Sequence, residues 1–517
     1  MMDMPDSKIG IVEKIALLSE ADFNAILRQA GKPVAVLFGA AWSSSFREMR
    51  QRLGEVADAL GNSVRIAAVD TDENPDLTKR LRLRSLPTTA LLVDGVEIAR
   101  NASPMSVPEA AAWIRSKLAS PAGAHNAEEH FFLAPDFLRS RGNVKWTQYG
   151  QDVLPAFVAE MDFAIAPPIQ AAIKRIVENE DYGYPKRKGF DRPEHSISQA
   201  FADRMARLYG WKINRDDVQP LADLVQATYA TIQAFSDEGD GVLLQTPAYP
   251  PFYEAIKDTR RVLLSVPMVS TGTRFEFDFA SLEAQAGKAR MIALCNPHNP
   301  VGRVLTREEL TEIGRIAIAH NLVIVSDEIH SELIYDGESH TPIASISPQI
   351  AARTVTINSP TKAFNIPGLR CAVMHFGSSE LRDRFLRRVP KKTLGQVSVI
   401  GIEAAVAAWR DGDAWLEKTV AHLKRMRDLC ARQIAETMPK IKFIKPEATY
   451  LAWLDCSALG LNKPAAAFFA EHAKVGLSAG ETFDPEAHQF VRLNFAASEP
   501  VLRDILGRMA GAAAKLG

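Results

Sequence analysis

Between Asn358 and Arg370 the chain reads NSPTKAFNIPGLR, with one lysine, Lys362, among small hydroxyl residues just past an apolar run, Thr354 to Ile357. A lysine on such a turn loses its proton when its surroundings disfavour an ammonium, and the free amine condenses with an aldehyde to a Schiff base. Ser359 and Thr361 beside it are hydroxyl donors for a phosphate. Alone, an S-x-x-K run reads more often as a solvated lysine ahead of a helix. This one has company. The run Met291 to Leu294 ends in CNPHNPVGRVLTREEL, and Leu322 to Val325 ends in SDEIH. Each predicts a short strand emptying into a polar loop, so Asn299, Asp327 and Lys362 fall at the carboxyl ends of strands, where open α/β sheets bind ligands.

These loops need a frame. Between the second and third runs, Thr306 followed by Glu309 predicts a capping box, and Leu310, Ile313 and Ile316 continue at helical spacing. Strand, helix, strand implies a right-handed parallel crossover. The chain has 517 residues, beyond the ~250 to 300 at which single cores stop growing, so at least two domains are expected. A formal net charge of −1 gives no bulk attraction to nucleic acid or anionic membrane. The short basic run Lys186, Arg187, Lys188 reads as a solvated loop or an anion contact. Four separated cysteines, Cys295, Cys371, Cys430 and Cys456, include no C-x-x-C pair, which leaves neither a disulfide framework nor a metal site. No apolar run approaches the ~18 residues of a membrane helix, and the opening residues carry no leader pattern, so the expected setting is cytoplasmic.

Residues 1–120 carry an α/β pattern of their own. Pro33 to Ala41, Val64 to Val69 and Thr88 to Val93 predict buried strands, the last followed by an Asp94-Gly95 turn. Residues 121–130 lie in a stretch rich in Ala, Ser, Gly and Pro and read as a linker. A second domain is expected over 131–517. Within it LLQTPAYPPFY reads as strand-like, and from about residue 398 long amphipathic helices lead into a smaller α/β lobe.

Taken together, NPHNPVG, SDEIH and SPTKAFNIPGLR resemble the fold-type I pyridoxal 5'-phosphate (PLP) enzymes of the aminotransferase class I/II superfamily. SRGNVKWTQYGQDVLPAFVAEMDFAIAPPI with EDYGYP narrows the resemblance to the MalY/PatB branch of cystathionine β-lyase-like C–S lyases. The resemblance implies a large α/β sheet domain plus a small lobe. It implies that Lys362 carries the cofactor as a Schiff base, Asp327 pairs with the pyridinium nitrogen and Asn299 bonds the phenolic oxygen. Tyr249 stacks on the ring, and Leu224 and Val225 present N–H groups to the phosphate at a helix N-terminus. Ser359 and Arg370 join the phosphate site. Arg492, in VRLNFA, grips the substrate carboxylate with a guanidinium fork. Tyr184 reaches the cofactor of a second subunit, which implies a homodimer with shared active sites. Two positions depart from the branch. Asp223 stands where the family has a small residue, either against the phosphate or turned away as a helix cap, and Arg370 is an aminotransferase trait.

The first domain is similar to thioredoxins through AAWSSSFREM and VDTDENPDLTKRLRLRSLPTTALLVDGVEIAR. The family's W-C-x-x-C becomes Trp42, Ser43, Ser44, Ser45, Phe46, and its buried acid aligns with Leu37. A serine alkoxide is far harder to form than a thiolate and makes no disulfide, so the domain reads as redox-inactive. Pro87 aligns with the family's cis-proline beside the peptide groove, and a peptide or thiol ligand there stands against plain scaffolding. For the whole chain the first expectation is a PLP-dependent C–S β-lyase acting on a small amino acid. The alternatives are an aminotransferase and a cofactor-binding scaffold or regulatory protein.

Overall fold

Continuous apolar runs build the first sheet. Val34–Gly39 pairs in parallel with Arg65–Asp70 and antiparallel with Thr88–Val93, which in turn pairs with Val96–Asn101. The computed structural model describes residues 17–23, 33–61, 63–81, 83, 85–93, 96–119, 131–185, 196–335 and 337–516. The chain divides into two units, Met1–His130 and Phe131–Gly517. The turn Asp94-Gly95, the linker expected at 121–130 and the cluster Lys186, Arg187, Lys188 lie outside the described residues.

In the first unit, Ser43 accepts the Phe46 N–H at 3.4 Å and caps the helix Ser44–Gln51. Phe46 is buried with Leu37, Leu53 and Ala68. A β-carbon at Gly39 would lie 2.2 Å from the Phe46 ring, so this glycine exists to admit that side chain. Hydrocarbon therefore fills the interior at Leu37 and Phe46, the positions that the resemblance compares with a buried acid and a cysteine. Trp42 stays 72% exposed, its indole N–H on Asp72 at 3.0 Å, and the Leu86–Pro87 bond is cis.

The second unit holds two sheets. The larger has eight strands in the spatial order Val218–Leu221, Ala372–Phe376, Thr354–Asn358, Val323–Asp327, Ala289–Cys295, Gly241–Thr246, Val262–Ser270 and Phe275–Phe277. The five strands from Thr354–Asn358 to Val262–Ser270 are parallel, while Ala372–Phe376 runs antiparallel to both neighbours. From Gly241–Thr246 the chain passes first to one side, at Val262–Ser270, and then to the other, at Ala289–Cys295. The strand order reverses there, which opens a crevice beyond the carboxyl ends of these two strands. The expected helix between Ala289–Cys295 and Val323–Asp327 is Arg307–Ala319, with its Thr306–Glu309 capping box formed and Leu310, Ile313 and Ile316 buried.

One expectation fails locally. LLQTPAYPPFY is strand only through Thr246, and Pro250–Asp258 is a helix with prolines in its first turn. A proline's missing N–H is an orphan at that position anyway, so Pro250 and Pro251 start a helix and do not extend a strand.

The smaller sheet takes Lys442–Phe443, Leu451–Asp455, Phe490–Asn494, Val475–Ala479 and Leu154–Ala156 in that order. The last strand comes from the opening of the unit and pairs in parallel with Val475–Ala479, so the lobe contains chain from well before residue 398. The helices Val399–Asp411 and Asp413–Thr437 precede the rest of it. Among the described residues no helix is long and apolar enough to cross a membrane, and no cluster of His, Cys, Asp and Glu is arranged for a metal ion. The four cysteines are buried and unpaired.

Candidate active site

A cavity of about 210 Å³ opens at the strand-order reversal. Each wall comes from the loop after a different parallel strand: Tyr249 after Gly241–Thr246, Asn299 after Ala289–Cys295, Asp327 at the end of its strand, and Ser359 and Lys362 after Thr354–Asn358. The small lobe adds Arg492 from Phe490–Asn494. Leu224, Val225 and Arg370 complete the set, so these nine expected residues line one cavity. Tyr184 does not. It is 95% exposed and away from the cavity of its own chain.

The Lys362 Nζ donates to the Ala159 carbonyl at 2.9 Å, and the Tyr450 hydroxyl donates to the same oxygen at 3.0 Å. Burial brings the lysine down to about 8 from an ordinary 10.5, helped by the Arg492 charge. Asp327 is buried with Oδ1 accepting the Ile329 N–H at 3.0 Å. Burial lifts its carboxyl to about 7, with the Glu328 charge acting in the same direction against that hydrogen bond. Among the described residues no cation pairs directly with the Asp327 carboxylate, although the Lys362 charge draws its pKa down slightly.

Arg492 is buried, and among the described residues no carboxylate pairs with it. Its fork meets neutral acceptors: Nη1 donates to Asn299 Oδ1 at 3.0 Å, and Nη2 to the Phe157 carbonyl at 3.1 Å and Ser478 Oγ at 3.2 Å. Nε has no acceptor. Burial lowers this arginine to about 10. A buried guanidinium without a counter-charge is an anion receptor. Its bond to Asn299 also fixes that amide, because with Oδ1 engaged the Asn299 Nδ2 hydrogens are left for a ligand.

At the opposite end, the helix Leu224–Phe235 begins in the cavity wall. Asp223 is its cap: Oδ1 accepts the Gln226 N–H at 2.8 Å, and the other oxygen pairs with Arg370. The described hydrogen bonds give the Leu224 and Val225 N–H groups no protein acceptor. A 12-residue helix thus points two open N–H donors and its positive end at the cavity. The Ser359 hydroxyl lies 2.7 Å from the Cys371 carbonyl and 2.8 Å from Thr361 Oγ1, so its single proton already has a protein acceptor.

Two groups escaped the sequence reading. His330 is buried in the cavity wall with Nδ1 unpartnered, and burial lowers it to about 3, so it is neutral. Its signal was its place three residues beyond Asp327, on the same loop. The Ala159 carbonyl had none, because a backbone oxygen leaves no trace in residue type.

The aminotransferase class I and II family model matches residues 162–508, and the thioredoxin model matches residues 14–116. Cystathionine beta-lyase PatB of Bacillus subtilis (strain 168) is 33% identical over 378 residues, covering 72% of this chain and 96% of PatB. Cystalysin from Treponema denticola, a structure that contains a pyridoxal 5'-phosphate cofactor, superposes with a TM-score of 0.70 at 28% identity, covering 74% of this chain and 98% of cystalysin. The PLP-bound C–S lyase from Staphylococcus hominis gives a TM-score of 0.68 at 26% identity, covering 72% of this chain and 96% of that one. With the family model spanning most of its second unit, the chain belongs to the aminotransferase class I and II family and carries a thioredoxin domain ahead of it.

Proposed function

We propose that Phe131–Gly517 is a PLP-dependent C–S β-lyase, which converts an S-substituted cysteine-type amino acid and water to a thiol, pyruvate and ammonia. The observation that carries this is the meeting in one cavity of a depressed amine, Lys362, an unpaired carboxylate, Asp327, and a buried guanidinium without a counter-ion, Arg492. The unsatisfied groups fit the cofactor. Leu224 and Val225 N–H, with Arg370, would hold its phosphate, Asp327 its ring nitrogen, the Asn299 amide its phenolic oxygen, and Tyr249 one face of the ring. When bound, PLP supplies an aldehyde for the substrate amine and an electron-withdrawing ring for the electrons left at Cα.

The chain's own groups do the rest. Asp327 would keep the ring nitrogen protonated, and that cation would give its carboxylate a partner. Arg492 takes the substrate α-carboxylate through its fork, with Nε as the donor still open. Lys362 Nζ, neutral above about pH 8 and held toward the cavity by Ala159, is the base for the Cα proton. With the Cα proton gone, the Cβ–S bond would break with its electron pair leaving on sulfur.

An aminotransferase would use every one of these groups as far as loss of the Cα proton, and Arg370 is the feature that favours it. A second copy of the chain would supply Tyr184, whose 95% exposure leaves it free to reach a neighbour. The first unit would bind a peptide or thiol ligand beside Trp42 and Pro87 without redox chemistry, and a cytoplasmic setting suits the four unpaired cysteines.

Four outcomes are expected. Loaded with PLP, the full chain releases pyruvate from cystathionine or another S-substituted cysteine with no 2-oxo acid present; a strict need for a 2-oxo acid selects the aminotransferase. In the same assay Lys362→Ala is inactive, and mixed dimers of Lys362→Ala with Tyr184→Ala chains recover activity; turnover by Lys362→Ala alone contradicts the assignment. The acylation of Lys362 by a small amine-directed reagent in the cofactor-free chain, followed by mass spectrometry, has its midpoint near pH 8, because the amine is protonated below its lowered pKa and free above it. A midpoint at the ordinary 10.5 would show that burial does not act on this lysine. Finally, the full chain leaves insulin disulfides intact in the presence of dithiothreitol beyond the uncatalysed rate, and catalysed reduction would contradict a redox-inactive first unit.

A further inference from the structure

The Asp223–Arg370 pair stands across the end of the cavity where Leu224 and Val225 present open N–H groups. Its geometry is built. Asp223 Oδ1 is fixed on the Gln226 N–H at 2.8 Å, and the Gln226 side chain returns to the Ala222 N–H at 3.2 Å, so the carboxylate cannot turn away without uncapping the helix. Its second oxygen meets the Arg370 guanidinium. Arg370 itself has a left-handed backbone, φ +44°, after the short turn Pro367–Leu369, a conformation that glycine or asparagine adopts more easily. Its side chain is 68% exposed, and an ion pair that open to solvent contributes little to stability. Neither the strained backbone nor the exposed pair is explained by folding.

We infer that Asp223 is an internal competitor for Arg370 and sets how tightly the phosphate end of the cavity holds an anion. The inference rests on the PLP reading of the cavity. With Asp223 present, the formal charges of the two side chains cancel, which leaves the helix N-terminus as the positive element at that end of the cavity among the described residues. Arg370 must divide its donors between the carboxylate and the phosphate. Asp223, held in place by the cap, repels the phosphate at short range. The site thus depends on the Leu224 and Val225 N–H groups first and on Arg370 second, and it exchanges its phosphate-bearing ligand more readily than a helix N-terminus flanked by a free arginine.

Asparagine at 223 keeps the capping oxygen and removes the charge. The test titrates the cofactor-free full chain with PLP and, separately, with pyridoxal, which has no phosphate, following the absorbance change as the aldehyde reacts at Lys362. Asp223→Asn is expected to tighten PLP binding about tenfold while pyridoxal binding stays within about twofold. Arg370→Gln weakens PLP binding, and weakens it more in the Asp223→Asn background than alone, because the arginine there is no longer shared. Equal or weaker PLP binding by Asp223→Asn overturns the inference, as does an equal gain for pyridoxal. If the unsubstituted chain shows no PLP absorbance change, the cofactor reading fails and the inference falls with it.

Discussion

Taking a charge out of water without giving it a partner is the constraint on which this site depends. Asp327, Lys362 and Arg492 are all desolvated around one cavity, and among the described residues none of them has an ion-pair partner. Desolvation moves each group toward its neutral form: the carboxyl up to about 7, the amine down to about 8, the guanidinium down to about 10. The first two therefore change protonation near neutral pH, where a base and an electron-sink partner are useful. The same burial favours a ligand that brings a cationic group to Asp327 and an anionic group to Arg492.

The sheets are arranged to create that burial. Five parallel strands bring five loops to one edge, and the reversal of strand order between Gly241–Thr246 and Ala289–Cys295 keeps the crossover chains from covering the crevice. Asp327 sits at the end of a strand flanked by Ala289–Cys295 and Thr354–Asn358, deep in the sheet. The helix Leu224–Phe235 points its N-terminus at the cavity, and its other end is held by arginines. Arg384 donates to the Phe235 carbonyl at 3.1 Å, and Arg261 and Arg388 donate to the Ser236 carbonyl at 2.5 and 3.3 Å. Cations there satisfy the last carbonyls and complement the helix dipole, which leaves its positive end for an anion.

The cavity's contents were largely legible because chemistry fixes residue type. Alone, the lysine, aspartate, asparagine and arginine after short apolar runs are weak marks; together, NPHNPVG, SDEIH, SPTKAFNIPGLR and VRLNFA resemble one family, and the capping box at Thr306 announces its helix. What was not legible follows from where the information lies. LLQTPAYPPFY as a whole reads as strand-like, whereas Pro250 and Pro251 stand in the first turn of a helix. Leu154–Ala156 joins the small lobe through a pairing more than 300 residues away along the chain, and a three-residue strand has no period to detect. The Asp223–Arg370 contact was open between a phosphate neighbour and a turned-away cap. In the structure one carboxylate oxygen caps the helix and the other pairs with the arginine. In the first unit the loss of sulfur was plain, but not that Phe46 and Gly39 interlock in its place.

The most direct test of the unpaired-charge account is thermal unfolding of the full chain with and without PLP, comparing the unsubstituted protein with Asp327→Asn. At about 100 times its dissociation constant a ligand that binds only the folded state adds about 2.7 kcal/mol, enough to move the transition of the second unit by a few degrees. The account predicts this shift for the unsubstituted chain and a much smaller one for Asp327→Asn, whose cofactor-free form should be no less stable than the unsubstituted protein because it lacks the unmated carboxylate. Equal shifts in the two proteins would contradict it.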